Sequence, residues 1–321
     1  MKIFKELPKN LKSEDTDLFP NTVKVTKIDS PVLKDYKKII LSEFNLFSIK
    51  SFKFINHLSM VRVSKFTTIN FIKQLIGSLK RNIKIHIKKQ KLWIINDHCF
   101  NYFHWVTEAL PRLLLIKENK IKGTVLLPTK WSSNTFITPS LDIVGYEYEY
   151  YDSNSTYYIP EIISPNHLAS TGNYNPKYIK LVKNSLKKDY SENLRLWVLR
   201  DENQPRHIKN RNELSSLLEK YKIQIIRPEE ISFQQQVSFF SKASFVGGIH
   251  GAGLTNMIFM DEESNVLEIK TKSTEKNNAF FALSSALNHN YYYLRSKAEE
   301  TASGITLDLN ELDHQFAALF D

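Results

Sequence analysis

A glycine-rich segment after an apolar run is the part of the sequence best suited to bind an anion. Residues 243–248 have the composition of a buried strand, and the segment from His250 to Leu254 follows almost directly. A helix that begins at such a turn directs its first N–H groups and the positive end of its dipole at a ligand. Gly251 and Gly253 have no side chain that would keep a diphosphate away from the backbone. Taken alone, the pattern is equally typical of a tight strand-to-helix turn without a ligand.

Two arginines form the second candidate group for phosphate binding. Arg200 ends the predicted strand at residues 194–199, and Arg206 and Asn210 lie in the loop after it. A guanidinium group stays charged and presents a fork of donors that fits phosphate oxygens. Because ligands bind at the carboxyl ends of strands in open α/β sheets, Arg200 is expected on the same edge as the glycine turn. The alternative is a solvated basic loop, which is the usual explanation for clustered charges.

A third group could remove a proton from a hydroxyl. If residues 101–117 are helical, His104, Glu108 and Arg112 lie one turn apart on one face. The alternative is an ion-paired surface stripe, with Asn101 as the helix cap. Pro111 is unfavourable inside a helix and predicts a kink near this group.

Glu268 is a fourth candidate, at the end of the predicted strand at residues 265–269. Its carboxylate could accept hydrogen bonds from ribose hydroxyls, and a surface carboxylate is the alternative. Asp15 and Asp17 have the spacing of a metal-binding pair, but no predicted strand precedes them. The single cysteine, Cys99, provides no metal cluster, so the sequence predicts no metal site.

The elements that must position these groups are most regular in the second half of the chain. Helical and strand patterns alternate from residue 178 to residue 269, which predicts a parallel sheet covered by helices on both faces. Residues 160–176 contain three prolines and are the best candidate for a linker between domains. The fold class is therefore α/β, with a second and less regular α/β domain in the first half.

Composition limits the choice of partners. The 321 residues are 42% hydrophobic and 24% charged, as in soluble globular proteins, and no apolar run approaches the length of a membrane span. The first residues lack the apolar core of a signal peptide, so a cytoplasmic protein is expected. The formal charge of +10 comes largely from scattered lysines, which are typical of a solvated surface or of contact with an anionic partner. No motif of a nucleic-acid-binding module is present, so nucleic acid is not an expected partner.

Together, these motifs resemble glycosyltransferase family 61, which includes bacterial capsule-biosynthesis proteins. Residues 101–112 resemble its first motif, and the segment from Arg200 to Asn210 resembles its central arginine motif, with His207 where a second arginine often stands. The C-terminal block of the family is matched by Glu230, Gln236, His250, Gly251, Ala252, Gly253, Leu254, Asn256 and Glu268. The order and spacing of three separate motifs make this resemblance specific.

The resemblance implies a GT-B type of α/β fold, with two Rossmann-like domains facing a cleft. Residues 1–170 would form the acceptor-binding domain and residues 177–300 the nucleotide-sugar-binding domain. The C-terminal segment, residues 301–321, has packing against the N-terminal domain as one option. The donor would be held by Arg200, Arg206, Asn210, Glu230, Asn256, Glu268 and the turn from His250 to Leu254, whereas Asn101 and Arg112 would lie at the acceptor or in the cleft.

The implied activity is an inverting, metal-independent transfer of a sugar from a nucleotide-activated donor to a saccharide or lipid-linked saccharide acceptor. No cofactor is expected beyond this donor, and contact with the inner face of an anionic membrane is a further option. An inverting enzyme needs a base, for which Glu108 is modestly favoured over His104. A non-catalytic nucleotide- or polysaccharide-binding protein on the same fold is the alternative function.

Overall fold

The computed structural model describes residues 2–28, 30–42, 45–55, 84–85, 90–170, 172–187, 192–203, 206–296 and 304–320. The chain divides into two compact units, and both combine helices with a sheet, as the α/β prediction requires. One unit is Asp29–Leu168, and the other combines Met1–Ile28 with Ala169–Asp321. The boundary after Leu168 lies within the proline-containing segment that the sequence indicated as a linker.

The first 28 residues differ from the predicted domains because they pack with the C-terminal half of the chain. They contain strands β1 (Lys2–Phe4) and β2 (Val25–Lys27), which pair antiparallel, and the short helix α1 (Asn21–Lys24). Asp15 is buried, where it accepts hydrogen bonds from Tyr293 at 2.7 Å and Arg295 at 2.6 Å. A buried carboxylate needs such partners, and the C-terminal half provides them.

The unit of residues 29–168 contains a sheet for which the described residues provide eight strands. The strand order is β5-β4-β3-β10-β7-β8-β9, with β6 also paired to β10. The pairs among β3, β4, β5 and β10 are antiparallel, whereas β6, β7, β8 and β9 run parallel to β10. The strands are β3 (Leu33–Ser42), β4 (Asn45–Ser48), β5 (Lys53–Phe54), β6 (Lys84–Ile85), β7 (Lys91–Leu92), β8 (Thr124–Pro128), β9 (Tyr148–Tyr151) and β10 (Thr156–Pro165).

The direction of strand addition reverses at β7 in this unit. The chain proceeds from β7 to β8 and β9 on one side, and then adds β10 on the other side of β7. In open α/β sheets, ligands bind beyond the carboxyl ends of the strands at such a reversal. The described helices of this unit include α2 (Tyr102–His104), a π-helical turn (Trp105–Ala109), α3 (Leu110–Glu118) and α4 (Ile137–Val144).

The unit that contains residues 169–321 has a five-stranded sheet in its described part, and all five strands are parallel, as predicted. The order is β12-β11-β13-β14-β15, so the direction of strand addition reverses between β11 and β13. Most residues of β13 and β14 are buried, as expected for strands covered on both faces. The strands are β11 (Leu194–Val198), β12 (Gln224–Ile226), β13 (Ala243–Ile249), β14 (Asn265–Lys270) and β15 (Asn290–Arg295).

The C-terminal helix contributes to the core of the unit that contains residues 169–321. Leu312 and Phe316 are buried in one hydrophobic cluster with Trp197 and Phe245 from the central strands. The apolar residues of the last helix thus pack on the unit that contains residues 169–321. The resemblance had given packing on the N-terminal domain as an option for residues 301–321. The longer α-helices in the described part of this unit are α5 (Pro176–Leu186), α6 (Arg211–Lys220), α7 (Phe233–Ser241), α8 (Ala279–Ala286) and α9 (Leu309–Phe320).

Candidate active site

The glycine turn and Arg200 lie at the reversal of strand order in the parallel sheet. His250 directly follows β13, and Arg200 lies two residues beyond the end of the neighbouring strand β11. The guanidinium group of Arg200 donates a hydrogen bond of 2.9 Å to the carbonyl oxygen of His250. The two motifs that the sequence predicted to share one edge of the sheet are therefore in direct contact.

The two glycines of this turn lie very close to neighbouring side chains. A β-carbon at Gly251 would lie 1.6 Å from the Nη2 atom of Arg200, and one at Gly253 would lie 2.6 Å from the Cγ1 atom of Val198. The helix that follows is a 3₁₀ helix (Ala252–Phe259) with Gly251 as its N-cap. Its first N–H groups have no acceptor within the helix and so provide donors for a ligand at this edge.

Arg200 and Arg206 lie close enough to repel each other. Burial and the charge of Arg206 lower the pKa of Arg200 to about 10, while Glu229 acts in the opposite direction. Among the described residues, Arg206 forms no ion pair with a carboxylate. An anion bound between the two guanidinium groups would relieve this repulsion, because it compensates both charges.

The ring of His250 pairs with the buried carboxylate of Glu268. Its Nδ1 atom pairs with Oε1 of Glu268, and Oε2 of Glu268 accepts a hydrogen bond from the hydroxyl of Tyr291. The side chain of Glu268 has no solvent exposure. Both oxygens of Glu268 are occupied inside the protein, so the carboxylate is placed to orient His250. The sequence argument had instead suggested that it contacts a ribose.

The remaining residues of the predicted donor site have partners that stabilise the fold. Asn210 donates to the carbonyl of Leu307 and accepts from its N–H group, both at 3.0 Å. Asn256 is fully buried and donates to Gln236 at 3.1 Å and to the carbonyl of Gly253 at 3.2 Å. Glu230 is exposed and lies 3.5 Å from Arg227. Asn256 therefore supports the glycine turn, whereas Asn210 and Glu230 do not contact it.

His104 and Glu108 meet in the other unit, as the helical spacing predicted. The Nδ1 atom of His104 lies 2.8 Å from Oε1 of Glu108, and the amide of Asn96 donates to Oε2 at 2.9 Å. Asn96 follows β7, so the pair lies at the carboxyl edge where the strand order of this unit reverses. The side chain of His104 retains 19% exposure and its Nε2 atom forms no hydrogen bond to a described residue.

A π-helical turn carries Glu108 and ends just before Pro111. The N–H of Leu110 bonds to the carbonyl of Trp105, five residues earlier, so Trp105–Ala109 is wider than an α-helix. Proline lacks an N–H, and its ring clashes with the carbonyl four residues before it. The wider turn is how the chain accommodates Pro111, and such turns occur frequently at functional sites.

The protonation of Glu108 bears on which residue acts as a base. Burial alone would raise the pKa of Glu108, but the hydrogen bond and charge of His104, together with Asn96 and His167, hold the pKa below its usual value. A carboxylate with a lowered pKa is a weaker base. His104 presents a ring nitrogen while Glu108 holds the other, which is the division of roles between histidine and carboxylate in catalytic triads.

Arg112 and Asn101 do not join this pair. Arg112 is buried, and it donates to the carbonyls of Ile94 at 2.7 Å and Pro165 at 3.1 Å. Burial lowers the pKa of Arg112 to about 10. Asn101 accepts from the N–H of Phe103 at 2.9 Å and is therefore a helix cap. Arg112 thus connects the ends of β7 and β10 beneath the site.

Three residues near the pair were missed by the sequence analysis. Asn96 bonds to Glu108, the ring of His98 lies 5.1 Å from that of His104, and His167 acts electrostatically on Glu108. His98 and His167 are exposed. Each of the three follows the carboxyl end of β7 or β10, and identifying them from the sequence would have required a prediction that these two strands are parallel.

Residues 102–267, more than half of the chain, match the model of the family described as Glycosyltransferase 61. The chain belongs to glycosyltransferase family 61. It is therefore a glycosyltransferase, with a sugar donor and an acceptor as its substrates. No curated protein matches the sequence.

No group of three or more histidine, cysteine, aspartate or glutamate side chains among the described residues is arranged to hold a metal ion. None of their helices is both long enough and apolar enough to span a membrane.

Proposed function

We propose that this family 61 enzyme transfers a sugar from a nucleotide-activated donor with inversion at the anomeric carbon. The observation that carries the proposal is the contact between Arg200 and the His250 turn at the strand-order reversal of a parallel sheet. Two guanidinium groups, a histidine and a helix N-terminus are donors suited to a diphosphate. The donor would therefore bind the unit that contains residues 169–321.

The acceptor hydroxyl would lose its proton to His104. The Nε2 atom takes the proton, the oxygen forms a bond to the anomeric carbon, and the bond from that carbon to the diphosphate breaks. The departing diphosphate carries the electron pair, and Arg200, Arg206 and the turn stabilise its charge. Glu108 orients His104 and stabilises the ring when it becomes protonated.

The proposal includes a GT-B type of enzyme, with the donor bound by one unit and the acceptor by the other. It also includes metal-independent transfer, because the basic side chains at the turn can neutralise the departing diphosphate. The acceptor would be a saccharide or lipid-linked saccharide of a capsule or another cell-surface polysaccharide, made on the cytoplasmic side of the membrane. Membership of a family that the sequence analysis described as including bacterial capsule-biosynthesis proteins supports this context.

A transfer assay tests the proposal. The full chain is incubated in EDTA with a panel of nucleotide sugars and with extracted lipid-linked or free saccharides, and released nucleoside diphosphate and glycosylated product are measured together. We expect product from at least one pair, with the anomeric configuration opposite to that of the donor. Nucleotide binding without product for any acceptor would favour the non-catalytic alternative, and retention of configuration would contradict the single displacement.

A further inference from the structure

Four side chains form what we call the buried carboxylate cluster: His250, Glu268, Lys270 and Tyr291. Glu268 is at its centre, with His250 on one carboxylate oxygen and the hydroxyl of Tyr291 on the other. The Nζ atom of Lys270 lies 4.0 Å from Glu268, and neither of these two side chains is exposed. His250 is the most exposed of the four, with 10% of its side chain accessible, whereas Tyr291 retains 4% exposure. The cluster therefore connects the interior of the sheet to the glycine turn.

Lys270 keeps the central carboxylate charged. Burial would raise the pKa of Glu268, but the charge of Lys270, followed by the interactions with His250 and Tyr291, brings this pKa below its usual value. Lys270 itself is held by hydrogen bonds to the carbonyls of Asn277 at 2.6 Å and Glu275 at 3.3 Å. Phe19 covers it, with its ring centre 5.6 Å from Nζ. An isolated buried lysine is unfavourable, so these contacts fix it as the partner of Glu268.

Packing alone does not explain the hydroxyl of Tyr291. Its ring lies 5.4 Å from that of Phe281 and 6.3 Å from that of Phe19, and a phenylalanine would make the same ring contacts. Burial raises the pKa of Tyr291, so its hydroxyl stays protonated and donates to the carboxylate. The hydroxyl therefore acts on Glu268, and Glu268 acts on His250.

We propose that Lys270 and Tyr291 are positioning residues of the transfer reaction, because they hold Glu268 and thereby fix the ring of His250. The inference rests on the proposed function, in which the turn at His250 binds the diphosphate of the donor. With Nδ1 paired to Glu268, Nε2 is the ring nitrogen left to face a ligand. Partners that orient a functional histidine in metal sites typically change affinity or activity by about 10–100-fold when they are removed.

Tyr293 provides a matched control for the test. It lies two residues after Tyr291 on the same strand and is also buried, and its hydroxyl also donates to a carboxylate. That carboxylate is Asp15, at 2.7 Å, which does not contact His250. Tyr291→Phe and Tyr293→Phe thus each remove a buried hydroxyl that donates to a carboxylate, and only the first should change the diphosphate site.

The experiment titrates the full chain with inorganic pyrophosphate, which contains the diphosphate without a base or sugar. The ring nitrogens of ¹⁵N-labelled His250 are followed by NMR, and the signal is assigned with His250→Ala. We expect Tyr291→Phe to weaken pyrophosphate binding by about tenfold, the lower end of the 10–100-fold effect of such partners. It should also change the ¹⁵N chemical shifts of the His250 ring. Tyr293→Phe should leave both unchanged. Equal binding and equal His250 signals in the two variants would overturn the inference.

Two further variants complete the test. Lys270→Met removes the charge with little change in side-chain volume, and it should weaken pyrophosphate binding at least as much as Tyr291→Phe. Unchanged binding in a folded Lys270→Met chain would remove Lys270 from the positioning role. If His250→Ala binds pyrophosphate as the wild type does, the proposed diphosphate site is itself wrong. If His250→Ala weakens binding but Tyr291→Phe does not, only the positioning inference fails.

Discussion

His104 and Glu108 are the residues on which the proposed proton transfer depends. Both oxygens of Glu108 are occupied by His104 and Asn96, whereas Nε2 of His104 has no partner among the described residues. This geometry reverses the order in which the sequence analysis placed the two. The histidine is the better-placed acceptor, and the carboxylate holds it.

We predict that His104→Ala lowers turnover by about 10²–10⁴-fold, the usual contribution of a general base. Glu108→Gln should also lower turnover, because an amide cannot stabilise the protonated ring. Both variants should bind nucleoside diphosphate normally, since they lie in the other unit. Glu161→Gln, which removes a carboxylate that accepts from Gln90, is a control that should retain full activity. Transfer at the native rate by His104→Ala, with none by Glu108→Gln, would assign the base to Glu108.

Acid should destabilise the protein through its buried carboxylates. The pKa values of Glu268 and Glu108 are lowered in the folded protein below 4.5, the ordinary value for a glutamate. Their stabilising contribution is therefore complete above that value and is lost as the pH falls toward the folded pKa. We predict that the free energy of unfolding in urea falls below about pH 5, and that Glu268→Gln is less stable at pH 7 but declines less steeply. Glu6→Gln, at an exposed carboxylate, should follow the wild-type decline, and a parallel decline for Glu268→Gln would contradict the assignment.

The sequence predicted part of the site at the level of residues. Spacing placed His104 and Glu108 together because they are four residues apart, which holds in the structure. The same spacing argument failed for Arg112. The π-helical turn that precedes Arg112 changes the rotation per residue and directs this side chain into the core. The sequence also failed to show that Glu268 is buried, because a carboxylate at a strand end is usually solvated unless distant residues such as Lys270 compensate it.

The turn between β13 and the 3₁₀ helix is the element that forms the proposed diphosphate site. Gly253 of this turn packs against β11, and Gly251 packs against the side chain of Arg200. The clash at Gly251 involves the end of a flexible side chain, whereas the clash at Gly253 involves a β-branched residue in a central strand. The two positions should therefore respond differently to the same substitution.

We predict that Gly251→Ala displaces Arg200 and weakens nucleoside diphosphate binding with little loss of stability. Gly253→Ala should instead lower the free energy of unfolding by about 1–3 kcal/mol, the usual effect of overpacking a core. Urea unfolding and ligand titration of both variants separate the two effects. Unchanged diphosphate binding by a folded Gly251→Ala chain would contradict the role of Arg200 at the turn.

Regular elements could be predicted where local pattern and burial agree. The alternation of helices and strands after residue 178 reappears as a parallel sheet whose central strands β13 and β14 are largely buried. The predicted helix at residues 101–117 is instead α2, a π-helical turn and α3, because Pro111 interrupts the hydrogen bonds. The packing of residues 1–28 on β15 could not be predicted, because it depends on contacts such as Asp15 with Arg295, 280 residues apart.

At the scale of the whole molecule, the charge of +10 is the feature that bears on location. The proposal places the enzyme at the inner face of an anionic membrane, where each lysine held near the surface contributes roughly 1 kcal/mol. We predict co-flotation with vesicles that contain anionic lipid at low salt, and release as the salt concentration rises. Vesicles of neutral lipid are the control. Absence of binding to anionic vesicles at low salt would contradict the membrane contact. The positive charge would then serve only to keep the protein soluble.

The central claim is that the turn at His250, together with Arg200, binds the diphosphate of a nucleotide-activated donor. Calorimetric titration of the full chain with a panel of nucleoside diphosphates in EDTA tests it most directly, with Arg200→Ala and Lys209→Ala compared with the wild type. Lys209 is an exposed cation in the same loop and serves as the matched control. We predict that at least one nucleoside diphosphate binds, that Arg200→Ala weakens it by about 10–100-fold, and that Lys209→Ala leaves it nearly unchanged. Binding of no member of the panel, or equal affinity in Arg200→Ala and the wild type, would contradict the claim.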